Sequence, residues 1–308
     1  MRTVHFEVNI PHHSYLKRLV PGLTTSDILS IKNAGKYNEA QVVTVRSHSK
    51  INDGVLNKLP NLKLICTRTG GYDHIVLDSC KKRGIAVYRV PDYGAYAIAE
   101  HVFAMLLSMT RRVVASQKEI REGKFSYEKC EGYTLNGKTL GVVGTGKIGL
   151  EVARLGKAFG MKLAAFDVLK NDSAALEIGF NYLTLEDLIK TSDVITLHVP
   201  LLPQTKHLIN TKTIKQMKKG VIFVNASRGA VVNTRELVKH IKKFKYVCLD
   251  VLEDEEGFSK DNPLLKYDNV LITPHCAFFT DRTIEASSKI TYDNIQAFLG
   301  GSDVNRLT

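Results

Sequence analysis

Gly144-Thr145-Gly146-Lys147-Ile148-Gly149 decides the fold because of what flanks it. Ahead of it, Lys138-Thr139-Leu140-Gly141-Val142-Val143 reads as a short buried strand. Behind it, Glu151 to Phe159 reads as a helix, with Val152, Leu155, Ala158 and Phe159 on one face. A lone G-x-G-x-x-G says little, since glycine-rich turns that simply pack a helix on a strand share it. Between a strand and a helix it becomes a dinucleotide fingerprint: the glycines let the backbone turn tightly and approach a pyrophosphate at the helix N-terminus. Gly144, Gly146 and Gly149, with Lys147 and Ile148, form the expected cradle. A second strand, Lys162 to Phe166, ends in Asp167, 18 residues beyond Gly149. A carboxylate there accepts hydrogen bonds from ribose hydroxyls and repels a 2′-phosphate, which favours NAD over NADP. NAD is the expected cofactor.

Composition fits an enzyme of that size. A chain of 308 residues has room for about two domains, and 44% hydrophobic and 24% charged residues are ordinary for a globular protein. No apolar run approaches the roughly 18 residues that span a bilayer, and the N-terminus carries no signal-peptide pattern. The five cysteines, Cys66, Cys80, Cys130, Cys248 and Cys276, form no C-x-x-C pair and read as reduced thiols. A cytoplasmic protein with no membrane partner is expected. The net charge of +12 is spread along the chain, in clusters such as Lys81-Lys82-Arg83 and Lys242-Lys243 at helix ends. With no zinc-ligand spacing or aromatic–basic interleaving beside it, this charge suits attraction of anionic substrates better than nucleic-acid binding.

Strands alternate with helices almost throughout, the mark of parallel α/β sheets. Thr3–Val8, Gln41–Val45, Leu62–Thr67 and Ile85–Val90 read as strands of a first, small unit. After a long apolar helix, Ala97–Met109, and a polar stretch to Gly137, the nucleotide-binding unit begins. Its later strands are Asp193–His198, Val221–Asn225, Tyr246–Asp250 and Val270–Thr273. The last helix, Asp281–Leu299, is expected to return to the first unit.

Three of these strands end in groups that carry chemistry. One runs into Asn225-Ala226-Ser227-Arg228-Gly229, one into Asp250-Val251-Leu252-Glu253-Asp254-Glu255, and one into Thr273-Pro274-His275. In an open parallel sheet the carboxyl ends of the strands face one crevice, where ligands bind. Arginine can clamp a carboxylate through two parallel hydrogen bonds. Histidine can exchange a proton with a hydroxyl or carbonyl oxygen, and a nearby carboxylate favours the imidazolium and orients the ring. Hydride transfer to NAD needs those services and no metal. Taken singly, the arginine could solvate a loop, the acids could be an exposed charge run, and the histidine could be structural. Together on one edge of an NAD-binding sheet they read as a site.

With these motifs in order, the sequence resembles the D-isomer-specific 2-hydroxyacid dehydrogenases over nearly its whole length, through Gly144-x-Gly146-x-x-Gly149, Leu197-His198-Val199-Pro200, Asn225-Ala226-Ser227-Arg228-Gly229, Leu249-Asp250-Val251 and Thr273-Pro274-His275. The resemblance implies two Rossmann-like, flavodoxin-like parallel-sheet domains with the active site in the cleft between them. Residues 1–96 and 280–308 would form the substrate-binding domain, and 97–279 the NAD-binding domain. It assigns Arg228 to the substrate carboxylate and carbonyl, Glu255 to the family's acid, and His275 to proton transfer. Gly70 and Gly71, in Arg68-Thr69-Gly70-Gly71-Tyr72-Asp73, would hold the carboxylate through their amides. Asp250 would contact the nicotinamide carboxamide, while His198, Val199, Pro200 and Ala226 would line the cofactor cleft.

Within the family, Ala97-Ile98-Ala99-Glu100-His101, Val251-Leu252-Glu253-Asp254-Glu255 and His275-Cys276-Ala277-Phe278-Phe279-Thr280 are most similar to the D-lactate dehydrogenase branch. That implies a small 2-keto or 2-hydroxy acid, with Phe278 packing on its side chain and Tyr93 nearby. Two features depart from the branch. His48, in Arg46-Ser47-His48-Ser49, stands where the branch tends to place a tyrosine over the substrate, with Arg46 an added cation. The chain is also shorter than most members, which suggests trimmed loops. A dianionic hydroxy acid is therefore an alternative to lactate. The resemblance also covers NAD-sensing corepressors, but those usually carry disordered tails, and this sequence stops soon after its last helix. The helix Ala97–Met109 is apolar on more than one face, as either the interface helix of a homodimer or a helix buried in its own domain would be.

Overall fold

Runs such as Val42-Val43-Thr44-Val45 and Leu64-Ile65-Cys66-Thr67 are buried at every position, as parallel strands covered on both faces must be. The computed structural model describes residues 1–8 and 10–308. It divides into two units, Met1–Tyr93 with Phe279–Thr308, and Gly94–Phe278.

The first unit contains β1 (Thr3–His5), α1 (Ile10–Leu19), β2 (Leu23–Thr24), β3 (Val42–Val45), α2 (Asp53–Leu56), β4 (Leu64–Thr67), α3 (Leu77–Lys82) and β5 (Ala86–Tyr88). The strands form a parallel sheet in the order β2-β1-β3-β4-β5. Alternate residues separate two cores: Val43, Val45, Ile65 and Val87 on one side, and Val42, Leu64, Cys66, Ala86 and Tyr88 on the other. The first strand stops at His5 rather than Val8 because Glu7 turns the chain with a left-handed φ of +53°. The two-residue β2 is too short to leave a hydrophobic period in the sequence.

The second unit opens with α4 (Ala95–Thr110) and α5 (Val113–Arg121). It continues through β6 (Thr139–Val143), α6 (Lys147–Ala158), β7 (Lys162–Phe166), α7 (Asp172–Ile178), β8 (Asn181–Tyr182), α8 (Leu185–Thr191), β9 (Val194–Leu197), α9 (Thr211–Gln216), β10 (Val221–Asn225), α10 (Thr234–Lys239), β11 (Phe244–Leu249) and β12 (Val270–Ile272). Its seven parallel strands run β12-β11-β10-β9-β6-β7-β8. The order reverses between β6 and β9, the switch point at which open α/β sheets bind ligands. The last helix, α11 (Asp281–Leu299), belongs to the first unit, where Ile295 joins the core over Val42 and Leu64.

The helix after the glycine loop starts at Lys147, directly after Gly146, rather than at Glu151 as the sequence suggests. Of α4, Val102, Phe103, Met105 and Leu106 pack in the same cluster as Val142, Val152, Val194 and Ile222. Exposed apolar side chains lie just beyond it. None of α5 is buried, and Val113, Val114, Ile120, Phe125 and Tyr127 face solvent.

Candidate active site

The three glycines of the loop serve three different ends. Gly144 takes a φ of +97°, and a β-carbon there would lie 2.7 Å from the His198 carbonyl carbon. A β-carbon on Gly149 would overlap the Gly144 carbonyl oxygen, so this glycine lets α6 close onto the strand. At Gly146 a β-carbon would meet nothing within 4 Å. The middle glycine therefore faces open space, at a helix start that no side chain caps. Unsatisfied helix N–H groups beside an open backbone fit a pyrophosphate. Asp167, at the end of β7, fixes the loop: its Oδ2 accepts from Thr145 N at 2.6 Å and Thr145 Oγ1 at 3.1 Å, and its Oδ1 from Leu169 N at 3.0 Å. Lys147 and Ile148 form the first turn of α6.

On the adjoining strand end, Val199 touches the same turn, since the Gly144 β-carbon position lies 3.0 Å from its Cγ1. Pro200 is exposed and Ala226 half-buried. Burial pushes the His198 imidazole down to about 3, so it is neutral at physiological pH. Its Nε2 lies 2.9 Å from Thr196 Oγ1, and its buried Nδ1 has no hydrogen-bond partner.

β10 delivers Arg228 through a turn that buried Asn225 shapes. The Asn225 side chain accepts from Ser227 N at 3.0 Å and Ser227 Oγ at 2.8 Å, and donates to the Arg228 carbonyl at 3.0 Å. The half-buried Arg228 guanidinium donates from Nη1 to the Ser227 carbonyl at 2.8 Å. A β-carbon on Gly229 would overlap the Leu252 carbonyl, so glycine is what lets this turn lie against the loop after β11.

Glu253, Asp254 and Glu255 on that loop have separate partners. Glu253 pairs with His207 at 2.5 Å and accepts from Thr234 N, at the start of α10, at 3.1 Å. Asp254 accepts from Gly257 N at 2.9 Å. Glu255 Oε2 lies 2.9 Å from Nδ1 of His275. His275 follows β12 with a left-handed φ of +51°, and its amide donates to the Asp250 carbonyl at 2.8 Å. The Phe278 ring meets the His275 ring edge-on at 6.3 Å. The fold thus joins Glu255 to His275 directly and packs the Arg228 turn on the loop that carries Glu255.

Asp250 is 1% exposed, and donors of its own chain surround its carboxylate: Thr273 Oγ1 at 2.6 Å, Cys276 N at 3.0 Å and Ala277 N at 2.9 Å. Among the described residues, ligand-type atoms of His101, Asp250 and Cys276 lie within 4.8 Å of one another. The Asp250 oxygens there are already engaged by these protein donors.

In the first unit, Gly70 and Gly71 follow β4, and the Gly71 carbonyl accepts from Thr69 Oγ1 at 2.6 Å. The loops after β1, β3 and β4 share one sheet edge. There the sequence reading missed Glu7, a carboxylate 8% exposed that organises the His48 loop. It accepts from Arg46 N at 2.8 Å, Ser49 Oγ at 2.6 Å, and His48 Nδ1 and N, each at 3.2 Å. Burial alone would push the Glu7 carboxyl up; bonds from His48, Ser49 and Arg46 overcome this and take it down to about 2. The only signal in the sequence is an acid just after an apolar strand. Arg46 is buried against Ser287 and the Tyr93 phenol. Arg68 is 1% exposed and donates to the Phe6 and Glu7 carbonyls; burial, then the charge of Arg46, lowers it to about 9.

An imidazole held by a carboxylate, on the sheet edge that also carries a dinucleotide cradle, belongs to an enzyme that moves a hydride and a proton together, an oxidoreductase of the nicotinamide class. Residues 103–277 match the NAD-binding domain of D-isomer-specific 2-hydroxyacid dehydrogenases. The chain is 37% identical over 284 residues to D-lactate dehydrogenase of Escherichia coli, covering 87% of this chain and 86% of that protein. It is 36% identical over 275 residues to glyoxylate reductase of Thermococcus litoralis, covering 86% and 82%. The crystal structure of D-lactate dehydrogenase from Aquifex aeolicus, complexed with NAD and lactic acid, superposes with a TM-score of 0.90 at 36% identity, over 99% of both chains. The chain belongs to the D-isomer-specific 2-hydroxyacid dehydrogenase family, and its cofactor is NAD.

Proposed function

We propose that this enzyme interconverts a small D-2-hydroxy acid and its 2-keto acid, with D-lactate and pyruvate the leading pair. The observation that carries the proton chemistry is the 2.9 Å contact between Glu255 and His275 in the NAD-binding unit. Similarity to D-lactate dehydrogenases, and an aromatic ring, Phe278, beside His275, support a small substrate side chain.

NAD, when bound, supplies or accepts the hydride at C2. The proposed holders of the cofactor are Gly144, Gly146, Lys147, Ile148 and Gly149 for the pyrophosphate, Asp167 for the ribose, and His198, Val199, Pro200, Ala226 and Asp250 along the nicotinamide side. Arg228 binds the substrate carboxylate and polarises the carbonyl. Gly70, Gly71 and Tyr93 are the proposed substrate contacts of the first unit, together with His48. His275 gives its proton to the oxygen as negative charge develops there, while Glu255 holds the ring and orients it.

NADH oxidation followed at 340 nm with pyruvate, phenylpyruvate, oxaloacetate, 2-ketoglutarate and hydroxypyruvate tests the reading. Turnover dominated by pyruvate supports it. Preference for oxaloacetate or 2-ketoglutarate favours the dianionic reading, which the buried Arg46 and the Glu7-anchored His48 motivate. NADH binding without turnover on any of them refutes both. We further propose a cytoplasmic homodimer. None of the five cysteines is in a disulfide, no described helix is long and apolar enough to cross a membrane, and exposed apolar residues cluster at 113–127.

A further inference from the structure

His101 lies on α4 and has no part in the mechanism above. Its Nε2 is 3.0 Å from Thr273 Oγ1 and 3.4 Å from Asp250 Oδ1. Thr273 Oγ1 is in turn 2.6 Å from Asp250 Oδ1. Burial would push the Asp250 carboxyl up, but bonds from His101, Thr273, Ala277 N and Cys276 N hold it below the usual carboxylate range. An ionised carboxylate only accepts, so the single Thr273 hydroxyl proton points at Asp250. The Thr273 oxygen then has only lone pairs to offer His101, as does Asp250. This proton count fixes the tautomer: His101 carries a hydrogen on Nε2 and shares it between two acceptors.

Asp250 controls the catalytic loop at three consecutive residues. Its carbonyl accepts from His275 N at 2.8 Å, its Oδ1 from Cys276 N at 3.0 Å and its Oδ2 from Ala277 N at 2.9 Å. His275 sits at φ +51°, a conformation that a residue with a β-carbon keeps only where its surroundings hold it. His101 reaches this carboxylate from a helix whose Phe103, Met105 and Leu106 are set in the core.

We propose that His101 is a positioning residue for proton transfer: its Nε2–H orients Thr273 and the Asp250 carboxylate, which hold the turn that sets His275 against Glu255. The proposal rests on the reading of His275 as the acid–base group.

His101→Leu removes the donor, and His101→Gln returns an N–H near the same point. With full-length enzyme and pyruvate, or whichever keto acid turns over best, His101→Leu should lower kcat about tenfold or more. NADH affinity, read by fluorescence titration, and keto-acid KM should stay within about threefold of wild type. His101→Gln should recover most of the lost kcat. Unchanged kcat in His101→Leu would overturn the proposal, as would equal losses in the two variants. So would a loss of NADH affinity and melting temperature that matches the loss of activity. Should His101→Leu fail to fold, Thr273→Val removes the shared hydroxyl instead and should lower kcat with the same split. His275→Gln serves as the control. If it keeps wild-type turnover, the reading of His275 falls and takes the proposal with it; if only His275→Gln loses turnover, the positioning role alone falls.

Discussion

Glu255 Oε2 and His275 Nδ1 lie 2.9 Å apart although 20 positions separate them in sequence. They meet because β11 and β12 are adjacent parallel strands, Leu249 pairing with Ile272, so the two chains leave the sheet side by side. Glu253 and Asp254 do not compete for the ring: one pairs with His207 and the start of α10, the other with Gly257. Register and local turn geometry thus distinguish Glu255 from Glu253 and Asp254.

Glu255→Gln keeps the side chain's size and removes its charge. The carboxylate lies 2.9 Å from the ring Nδ1 and holds it in place, so the variant should reduce keto acid about tenfold or more slowly. Steady-state kcat and KM for the keto acid, with NADH saturating, check this. A wild-type kcat would remove Glu255 from the proton-transfer pair.

The glycine loop allows a sharper contrast. Gly149→Ala places a methyl group on the Gly144 carbonyl and should lower the melting temperature by several degrees. Gly146→Ala meets no protein atom and has an ordinary φ of −65°, so the fold should be unaffected. Its methyl group instead occupies the space into which the pyrophosphate would fit, and NADH affinity should fall about tenfold or more. Calorimetry and NADH titration of both variants separate the two effects; equal NADH affinity in Gly146→Ala and wild type would remove Gly146 from the cradle.

The long elements were legible because periodicity and punctuation agreed. Val221–Asn225 and Asp281–Leu299 have the ends that their residues suggest, the latter set by a Thr280–Thr283 capping box. The start of α6 was misplaced because Lys147 and Ile148 look like loop residues until the glycines are understood to lead straight into helix. The roles of Glu7, Asn225 and His101 were not legible. Each acts through a bond to a residue tens or more positions away, or through a turn whose shape no local pattern encodes. Glu7, for example, reaches Arg46, His48 and Ser49 only because β1 lies beside β3. The apolar residues of α4, whose sequence fits a core helix as well as an interface helix, join the core of their own unit, and exposed apolar residues follow in a segment of unremarkable composition.

That segment yields a test of oligomeric state. Phe125 is 97% exposed and Tyr127 88%, beside Val113, Val114 and Ile120. Monomeric proteins seldom display such a cluster. Sedimentation equilibrium should give twice the chain mass of 34.3 kDa, and Phe125→Glu with Tyr127→Glu should shift the protein to monomer without unfolding it. A dimer untouched by both substitutions would move the interface elsewhere.

Buried ionisable groups set the response to acid. Burial, aided by the charge of Arg68, pushes the His5 imidazole from 6.5 down to about 4, and burial pushes His198 down to about 3. His5 is satisfied as a neutral ring, its Nε2 3.2 Å from the Val20 carbonyl and its Nδ1 2.9 Å from Thr44 Oγ1. Below pH 6.5 the unfolded chain protonates these rings and the native one does not, so stability declines as pH falls toward 4 for His5 and 3 for His198. Glu7 adds a second phase. With its carboxyl lowered from 4.5 to about 2, its contribution is full above pH 4.5 and is lost as pH falls toward 2. It amounts to roughly 3 kcal/mol at 1.4 kcal/mol per pKa unit. Melting temperatures measured from about pH 7 to 2.5 should therefore fall in two stages. His5→Gln, which keeps a donor for Val20 and cannot titrate, should shrink the first stage to the part that His198 contributes. Glu7→Gln should be less stable than wild type at neutral pH and should lose little more below pH 4.5. If Glu7→Gln instead tracks wild type at every pH, the Glu7 carboxylate does not hold the His48 loop together.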